Sequence, residues 1–252
     1  SCPDANFLQV VSPLKALQRL AERHREAFDI PVVGITGSNG KTVVKEWLYQ
    51  LLSPEKNVTR SPRSYNSQIG VPLSVWNLDE RSEVGLFEAG ISEPGEMEAL
   101  QSVIQPTIGV FTCLGDAHQE NFTSYEQKCL EKLKLFKDAK VLVYDMDDAR
   151  VVGCVNRSAF KGEYFAWSRQ RRDVPLYIAS VEKREAETVV SYIYKGKEAA
   201  CSIPFIDEAS LANSVSCLAV CLHLGMSPET IAARMAVLEP VAMRLEVKEG
   251  RS

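Results

Sequence analysis

A glycine-rich turn between an apolar stretch and a helical stretch is the feature that most constrains the fold. Residues 31–36, "PVVGIT", form a short β-rich run, and residues 41–52, "KTVVKEWLYQLL", have the pattern of a helix. Gly37 and Gly40 lie between them, with another glycine at Gly34. Strand, glycine turn and helix in this order form the context in which a loop can bind phosphate.

The turn does not have the spacing of the usual phosphate loop. That loop places a glycine six residues before its lysine, whereas Ile35 holds this position before Lys41. Main-chain N–H groups of residues 37–42 would still form a pocket for phosphate oxygens, with Lys41 on the β- and γ-phosphates and the Thr42 hydroxyl on Mg²⁺. The alternative is a plain strand-to-helix turn with Lys41 and Thr42 at the surface. The flanking strand, helix and glycines favour nucleotide binding.

Strand-like and helical patterns alternate in the first part of the chain. Further strands are expected at 84–89, 107–114 and 140–145, with helices at 94–104 and 124–136 between them. This alternation predicts an α/β fold with a mostly parallel, doubly wound sheet flanked by helices.

The two ends and residues 162–205 have other patterns. Ser12-Pro13 predicts the start of an amphipathic helix, and two more helices are expected at 208–225 and 227–238. Residues 162–205 contain short strand-like runs joined by turns. We predict a small antiparallel patch there.

The composition is that of an ordinary globular protein and disfavours several classes of partner. Of the 252 residues, 45% are hydrophobic and 25% charged, and a net charge of −4 argues against general attraction to nucleic acid or anionic membranes. No signal peptide and no apolar run of bilayer length is visible. The seven cysteines contain no CxxC pair, which favours reduced thiols in a cytoplasmic protein and disfavours a zinc site.

Two chemically versatile side chains follow strand-like runs. Glu88 lies at the expected carboxyl end of one strand, where an open parallel sheet collects its ligands, and a carboxylate there can hold Mg²⁺. His118 follows the next strand in the same way. Taken alone, a strand-end glutamate is more often solvated and a lone histidine more often structural. Lys128, Lys132 and Lys134, on the next helix, are compatible with one charged helix face.

The segment "TGSNGKT" resembles the phosphate loop T-G-[ST]-x-G-K-[ST] of the Mur ligases and folylpolyglutamate synthetases, which form amide bonds with ATP. Its spacing is normal for that family. The matching residues are Thr36, Gly37, Ser38, Gly40, Lys41 and Thr42. The resemblance implies that ATP binds along the whole turn, Asn39 included, and that Lys41 has a catalytic role.

The segment "YNSQIGVP" (65–72) resembles the N-N-x-x-G-V-P stretch of the D-alanyl-D-alanine-adding, MurF-type branch of the Mur ligases. Asn66 and the Gly-Val-Pro of 70–72 match, whereas Ser67 replaces the second asparagine. Other Mur ligases differ here, so this stretch favours the MurF-type branch.

The resemblance also implies a metal site and a modified lysine. "DAHQENF" (116–122) is similar to the family's A-H-x-E-x-F segment, in which the histidine joins a magnesium site. Lys132 holds the position of the family's carbamylated (N-carboxylated) lysine, with Lys134 as the register-shifted competitor. The implied metal ligands are Thr42, Glu88, His118 and Lys132. Lys132 and His118 join Lys41 as implied catalytic residues.

Two further nucleotide contacts are implied near the end of the chain. "DEASLANSV" resembles the family's G-x-H-N-x-x-N segment, whose asparagines face adenine, and only Asn213 matches cleanly. "AMRLE" (242–246) resembles the G-R-x-E stretch at the exit of the ATP domain. Arg244 would then touch the nucleotide, although Met243 stands where glycine is usual, and a surface arginine in a linker is an equal alternative.

The resemblance implies the central domain of a three-domain enzyme. Residues 1–30 would be a lead-in helix from a preceding domain, 31–240 the ATP-binding domain, and 241–252 a linker to a C-terminal domain. The implied reaction adds D-alanyl-D-alanine to UDP-N-acetylmuramoyl tripeptide through an acyl phosphate, using ATP and two Mg²⁺ ions. Alone, this chain would bind ATP weakly without ligating. The alternatives are another Mur ligase, a folylpolyglutamate synthetase, a P-loop kinase or regulatory NTPase, and a non-catalytic interaction module.

Overall fold

A computed structural model describes residues 9–115 and 119–241 of the chain. Its helices are α1 (Pro13–Arg25), α2 (Lys41–Leu52), α3 (Gly70–Val75), α4 (Glu96–Ile104), α5 (Tyr125–Leu133), α6 (Ala149–Arg157), α7 (Glu208–His223) and α8 (Pro228–Met235). Its strands are β1 (Val32–Thr36), β2 (Val58–Arg60), β3 (Val84–Glu88), β4 (Ile108–Phe111), β5 (Val141–Asp145), β6 (Glu163–Ser168), β7 (Leu176–Lys183), β8 (Thr188–Tyr194) and β9 (Lys197–Ile203). None of the described helices has the length and apolar character needed to cross a bilayer.

The described strands form one sheet in the order β2-β3-β1-β4-β5-β6-β7-β8-β9. Neighbours run parallel from β2 to β7, and β7, β8 and β9 pair antiparallel. In the centre, Ile35 of β1 lies opposite Glu88 of β3 and Val110 of β4. The carboxyl ends of β1, β3 and β4 therefore meet at one edge, where the glycine turn also begins.

The sheet is covered on both faces, as parallel sheets usually are. Alternate residues of the central strands point into two separate apolar cores: Val33 packs in the core with α2, α7 and α8, and Val32 in the core with α1, α3, α4, α5 and α6. Strands β1 and β3 are buried along their whole length. This explains their continuous apolar runs.

The predicted mostly parallel sheet with helices on both faces is confirmed. The predicted antiparallel patch was wrong in its first strand, because β6 runs parallel to β5. Helix α6, which was missing from the predicted elements, supplies the crossover that returns the chain in the same direction. The patch consists of β7, β8 and β9 and extends the main sheet. Strand β2 and helix α3 were also missed, since three and six residues carry too little periodicity.

Arg25 joins helix α1 to the rest of the protein. Its side chain is almost fully buried, and its guanidinium donates to Ile104 O at 2.9 Å, Gln105 O at 3.1 Å and Phe28 O at 2.6 Å. The end of α4 and the chain leaving α1 therefore meet at one cation. Ser12 caps the start of the same helix, as predicted.

We expect Arg25→Met to lower the free energy of unfolding by about 2–4 kcal/mol, because buried carbonyl oxygens lose their donors. Urea denaturation followed by circular dichroism measures the change. Arg23→Met is the matched control on the same helix: Arg23 is exposed and forms a surface ion pair with Glu26, so the urea midpoint of the Arg23→Met variant should equal that of the parent. Equal midpoints for the two variants would contradict this role of Arg25.

Candidate functional site

The glycine turn is held by the ends of β1 and β4. Gly37 (φ +147°) and Gly40 (φ +82°) both have left-handed backbone angles. Ser38 N donates to Cys113 O at 2.8 Å, and Ser38 Oγ donates to Gly115 O at 3.1 Å. These bonds fix the turn against the segment that follows β4.

Gly37 leaves room for one side chain of the neighbouring strand end. Thr112 Oγ1 donates to Asn39 O at 2.5 Å and lies close to Thr36 O. A Cβ atom added at Gly37 would sit 2.0 Å from Thr112 Oγ1. The close approach of the segment after β4 therefore requires glycine at position 37 of the turn.

Lys41 begins α2 and folds back over the turn. Its Nζ donates to Gly37 O at 2.9 Å and to Ser38 O at 3.2 Å. Burial lowers the pKa of this amine, and Glu88 and Cys113 oppose that shift. The ammonium thus lies where it can leave two main-chain carbonyls for a phosphate.

Thr42 and Glu88 are in direct contact. Thr42 Oγ1 donates to Glu88 Oε2 at 2.9 Å. Glu88 is fully buried, and its Oε1 has no hydrogen-bond partner among the described residues. Burial raises the pKa of this carboxyl, opposed chiefly by the nearby Lys45 and by the Thr42 hydroxyl. A hydroxyl and a carboxylate oxygen side by side are donors of the kind Mg²⁺ prefers.

Lys45 is a site residue that the sequence analysis missed. It is fully buried, and its Nζ lies 3.7 Å from Glu88 Oε1. The available signal was its position one helical turn after Lys41, in a helix that also contains the apolar residues Val44 and Leu48. A lysine in so apolar a helix needs a partner.

Lys128 and Lys132 of α5, and Lys134 just after it, have different surroundings. Lys132 is 3% exposed and borders the same cavity as Lys41, and burial, followed by the charges of Lys41 and Lys128, lowers its pKa to about 7. Lys134 points away and pairs with Glu131 Oε2 at 2.9 Å and Glu98 Oε1 at 3.0 Å. Lys128 is buried and donates to Gly115 O, the carbonyl that also accepts from Ser38.

A cavity of about 370 Å³ lies beside the turn. Its walls include the predicted site residues Ser38, Lys41 and Lys132, together with Asn66 and Ser67 of the "YNSQIGVP" segment. A larger cavity of about 670 Å³, between β6, β7, β8 and the end of α7, contains none of the predicted residues. The candidate site is therefore the smaller cavity.

Asn66 and Ser67 of the "YNSQIGVP" segment line this cavity and are held by different contacts. Gly90 N donates to Asn66 O at 2.8 Å, and the Asn66 side chain lies against Gly90, just beyond Glu88. Ser67 Oγ accepts from Gly70 N at 3.1 Å at the start of α3. The segment thus forms part of the wall of the cavity that Ser38 and Lys41 of the turn also line.

Asn213 of α7 lies against the other side of the turn. A Cβ atom at Gly40 would be 2.4 Å from Asn213 Oδ1. His118 and Arg244 lie outside the described residues. Within the residues described, no three His, Cys, Asp or Glu side chains converge to hold a metal.

Comparison with known proteins points to one family. A model of the Mur ligase middle domain matches residues 35–221. The UDP-N-acetylmuramoyl-tripeptide–D-alanyl-D-alanine ligase of Bacillus subtilis is 28% identical over 93% of this chain and 50% of its own length. The ligase of the same name from Borreliella burgdorferi is 30% identical over 89% of this chain and 48% of its own length. The chain thus spans about half the length of these relatives.

A solved structure has the same fold. The crystal structure of the MurF ligase of Thermotoga maritima in complex with ADP superimposes with a TM-score of 0.83 and 25% identity, over 96% of this chain and 56% of that one. The mostly parallel sheet with its antiparallel end is therefore the fold of that ligase's matching part.

We expect Gly37→Ala to lower the free energy of unfolding by about 2–4 kcal/mol, because the added methyl group meets Thr112. Gly95→Ala is the matched control. Gly95 also has a positive φ, +90°, but nothing lies within 4 Å of an added Cβ, so only backbone strain of about 1–2 kcal/mol applies. Urea denaturation compares the two variants, and equal losses would show that Thr112 does not restrict this position.

Proposed function

The chain belongs to the Mur ligase middle-domain family, and from this premise we propose that it is the ATP-binding part of a MurF-type ligase. The proposed whole enzyme adds D-alanyl-D-alanine to UDP-N-acetylmuramoyl tripeptide in peptidoglycan precursor synthesis, the reaction for which its relatives are named. The free thiols of the described residues suit the reducing cytoplasm, where we place the enzyme. Residues 1–30, 31–240 and 241–252 are the proposed lead-in helix, ATP-binding domain and linker towards further domains.

Two contacts beside the turn support this proposal best: Lys41 bonds to Gly37 O, and Thr42, the next residue, bonds to Glu88. We propose that main-chain N–H groups of residues 37–42 bind the phosphates of ATP, with Lys41 exchanging its two carbonyl partners for phosphate oxygens. Asn213 and Arg244 are the proposed contacts with the rest of the nucleotide. The Thermotoga maritima ligase, which has the same fold, was crystallised in complex with ADP, and this supports a nucleotide as the ligand.

The residues present fit a magnesium ion. Glu88 Oε1 is buried and has no hydrogen-bond partner in the described part of the chain, and Oε2 accepts a hydrogen bond from the Thr42 hydroxyl. Thr42 and Glu88 would hold the ion, together with His118 and an N-carboxylated Lys132. When bound, the ion would neutralise negative charge on the nucleotide's phosphate groups.

In the proposed reaction the terminal carboxylate of the tripeptide attacks the γ-phosphorus of ATP, and ADP leaves. The amine of D-alanyl-D-alanine then attacks the acyl carbon, and inorganic phosphate leaves with the pair of electrons of the broken C–O bond. The protein forms no covalent bond in either step. Its residues position the reactants, and the Lys41 ammonium offsets the charge that accumulates on the transferred phosphoryl group. The wall formed by Asn66 and Ser67 faces the turn and would border the acceptor.

We expect the 252-residue chain to bind a non-hydrolysable ATP analogue in the presence of Mg²⁺ without catalysing ligation, because it spans about half of its relatives. Lys41→Met should weaken binding by about tenfold or more, through loss of a charge-assisted contact with phosphate. Lys134→Met, which removes a lysine from the outer surface, should bind like the parent. Isothermal titration calorimetry measures the affinities, and an unaltered Lys41→Met affinity would contradict the proposed loop.

The full-length enzyme distinguishes the alternative functions. A panel of amine acceptors, with ADP release as the readout, separates a D-alanyl-D-alanine ligase from other Mur ligases and from folylpolyglutamate synthetases. ATP turnover that needs no acyl acceptor would indicate a P-loop kinase or regulatory NTPase. Ligation by the 252-residue chain alone would show that the rest of the enzyme is not required.

We expect Lys132 to bind CO₂ as a carbamate. Burial lowers its pKa to about 7, so the neutral amine, which is the form that adds CO₂, increases as the pH rises through that value. Carbon-13 NMR of protein in labelled bicarbonate should show a carbamate signal at about pH 8 that declines towards about pH 6. Lys132→Met should abolish the signal and Lys134→Met should retain it; a signal that follows Lys134 would reverse the assignment.

A further inference from the structure

The buried ammonium of Lys45 contacts three separate parts of the chain. Lys45 Nζ donates to Ser61 O at 2.8 Å and also to Arg63 O. It lies 3.1 Å from Glu46 Oε1, on its own helix, and 3.7 Å from Glu88 Oε1. A fully buried lysine is rare unless charges or carbonyl groups surround it, and here both do.

The carbonyl contacts hold a strained turn. Arg63 has a left-handed φ of +49° although it is not glycine, and such a conformation persists only where neighbouring groups hold it. Three residues later, Asn66 enters the cavity wall and receives the Gly90 N–H bond at 2.8 Å. Because Lys45 holds this turn, its position influences the position of Asn66 and Ser67 in the cavity wall.

The contact with Glu88 concerns the buried carboxylate at the end of β3, beside the start of α2. Thr42 holds Oε2 at 2.9 Å, and Lys45 faces Oε1 without forming a hydrogen bond to it. The carboxylate thus lies between a hydroxyl and a cation, and its Oε1 accepts no hydrogen bond from the described residues. Nothing else described bonds to Oε1, and the Lys45 ammonium lies 3.7 Å from this oxygen, where its charge can orient the carboxylate.

We propose that Lys45 is a positioning residue that ties the Glu88 carboxylate to the segment of residues 61–67. Through this single ammonium, the carboxylate proposed to hold magnesium is kept in one arrangement with the segment that leads to Asn66 and Ser67 in the cavity wall. The inference rests on the proposed function, since it assigns Glu88 to magnesium. It differs from a purely structural role because the cation faces Glu88 Oε1, for which the described residues supply no hydrogen bond.

The test measures how binding of an ATP analogue depends on Mg²⁺ in Lys45→Met. We expect the Mg²⁺ concentration for half-maximal enhancement to rise about tenfold, as loss of a residue that orients a metal ligand usually produces. Affinity for the analogue in EDTA should change little, since the turn of residues 37–42 stays intact. Glu46→Gln is the matched control: it removes the other carboxylate beside Lys45 and should leave the Mg²⁺ dependence unchanged. An unchanged or tighter Mg²⁺ response in Lys45→Met overturns the proposal.

A double-mutant cycle separates positioning from general damage. In a Glu88→Gln background, Lys45→Met should have no further effect on the Mg²⁺ dependence, because the group it orients is already altered. If Lys45→Met unfolds the chain, Lys45→Met/Glu88→Gln should be more stable in urea than the single variant, since no unpaired buried carboxylate remains. Equal destabilisation in both backgrounds overturns the pairing. Absence of any Mg²⁺ effect in the parent chain would instead refute the proposed function.

Discussion

The contact between Thr42 and Glu88 depends on the parallel pairing of β1 with β3, and the rest of the site is arranged around it. Parallel strands end at the same edge, so the helix that follows β1 begins beside the last residue of β3. The 2.9 Å bond from the Thr42 hydroxyl to the buried carboxylate joins them. Burying Glu88 is unfavourable unless it has partners, and the lysines of α2 are the cations nearest to it.

Four lysines of the described residues lie around the turn. Lys45, Lys128 and Lys132 are buried, Lys41 covers the loop, and Glu88 is the buried carboxylate among them. Two of these amines, Lys41 and Lys132, have lowered pKa values, with burial as the main cause in each. In a chain with a net charge of −4, such a group of lysines suits a polyanionic ligand such as a nucleoside triphosphate. A neutral Lys132 amine also suits the proposed reaction with CO₂.

Several elements could be predicted because their signals are local. The boundaries of α2, Lys41–Leu52, match the predicted helix, and the Ser12 cap and Pro13 mark the start of α1. By contrast, β6 was assigned to the antiparallel patch, because pairing direction depends on what precedes a strand. The short helix α6 decided that direction. Lys132 and Lys134 could not be ranked by helical pattern alone, and burial now separates them: Lys132 borders the cavity and Lys134 pairs with surface carboxylates.

The amino-acid sequence alone determined the strand–turn–helix unit at 31–52, the alternation that makes a parallel sheet, and the residue types able to bind phosphate. Each of these follows from neighbours in the chain, whose spacing and backbone preferences act over a few residues. Only the tertiary structure decided that Gly37 must accommodate Thr112, that Asn213 lies against Gly40, and that Lys45 lies beside Glu88. These contacts join residues between 43 and 173 positions apart along the chain, and packing of the strands and helices, rather than local preference, brings them together.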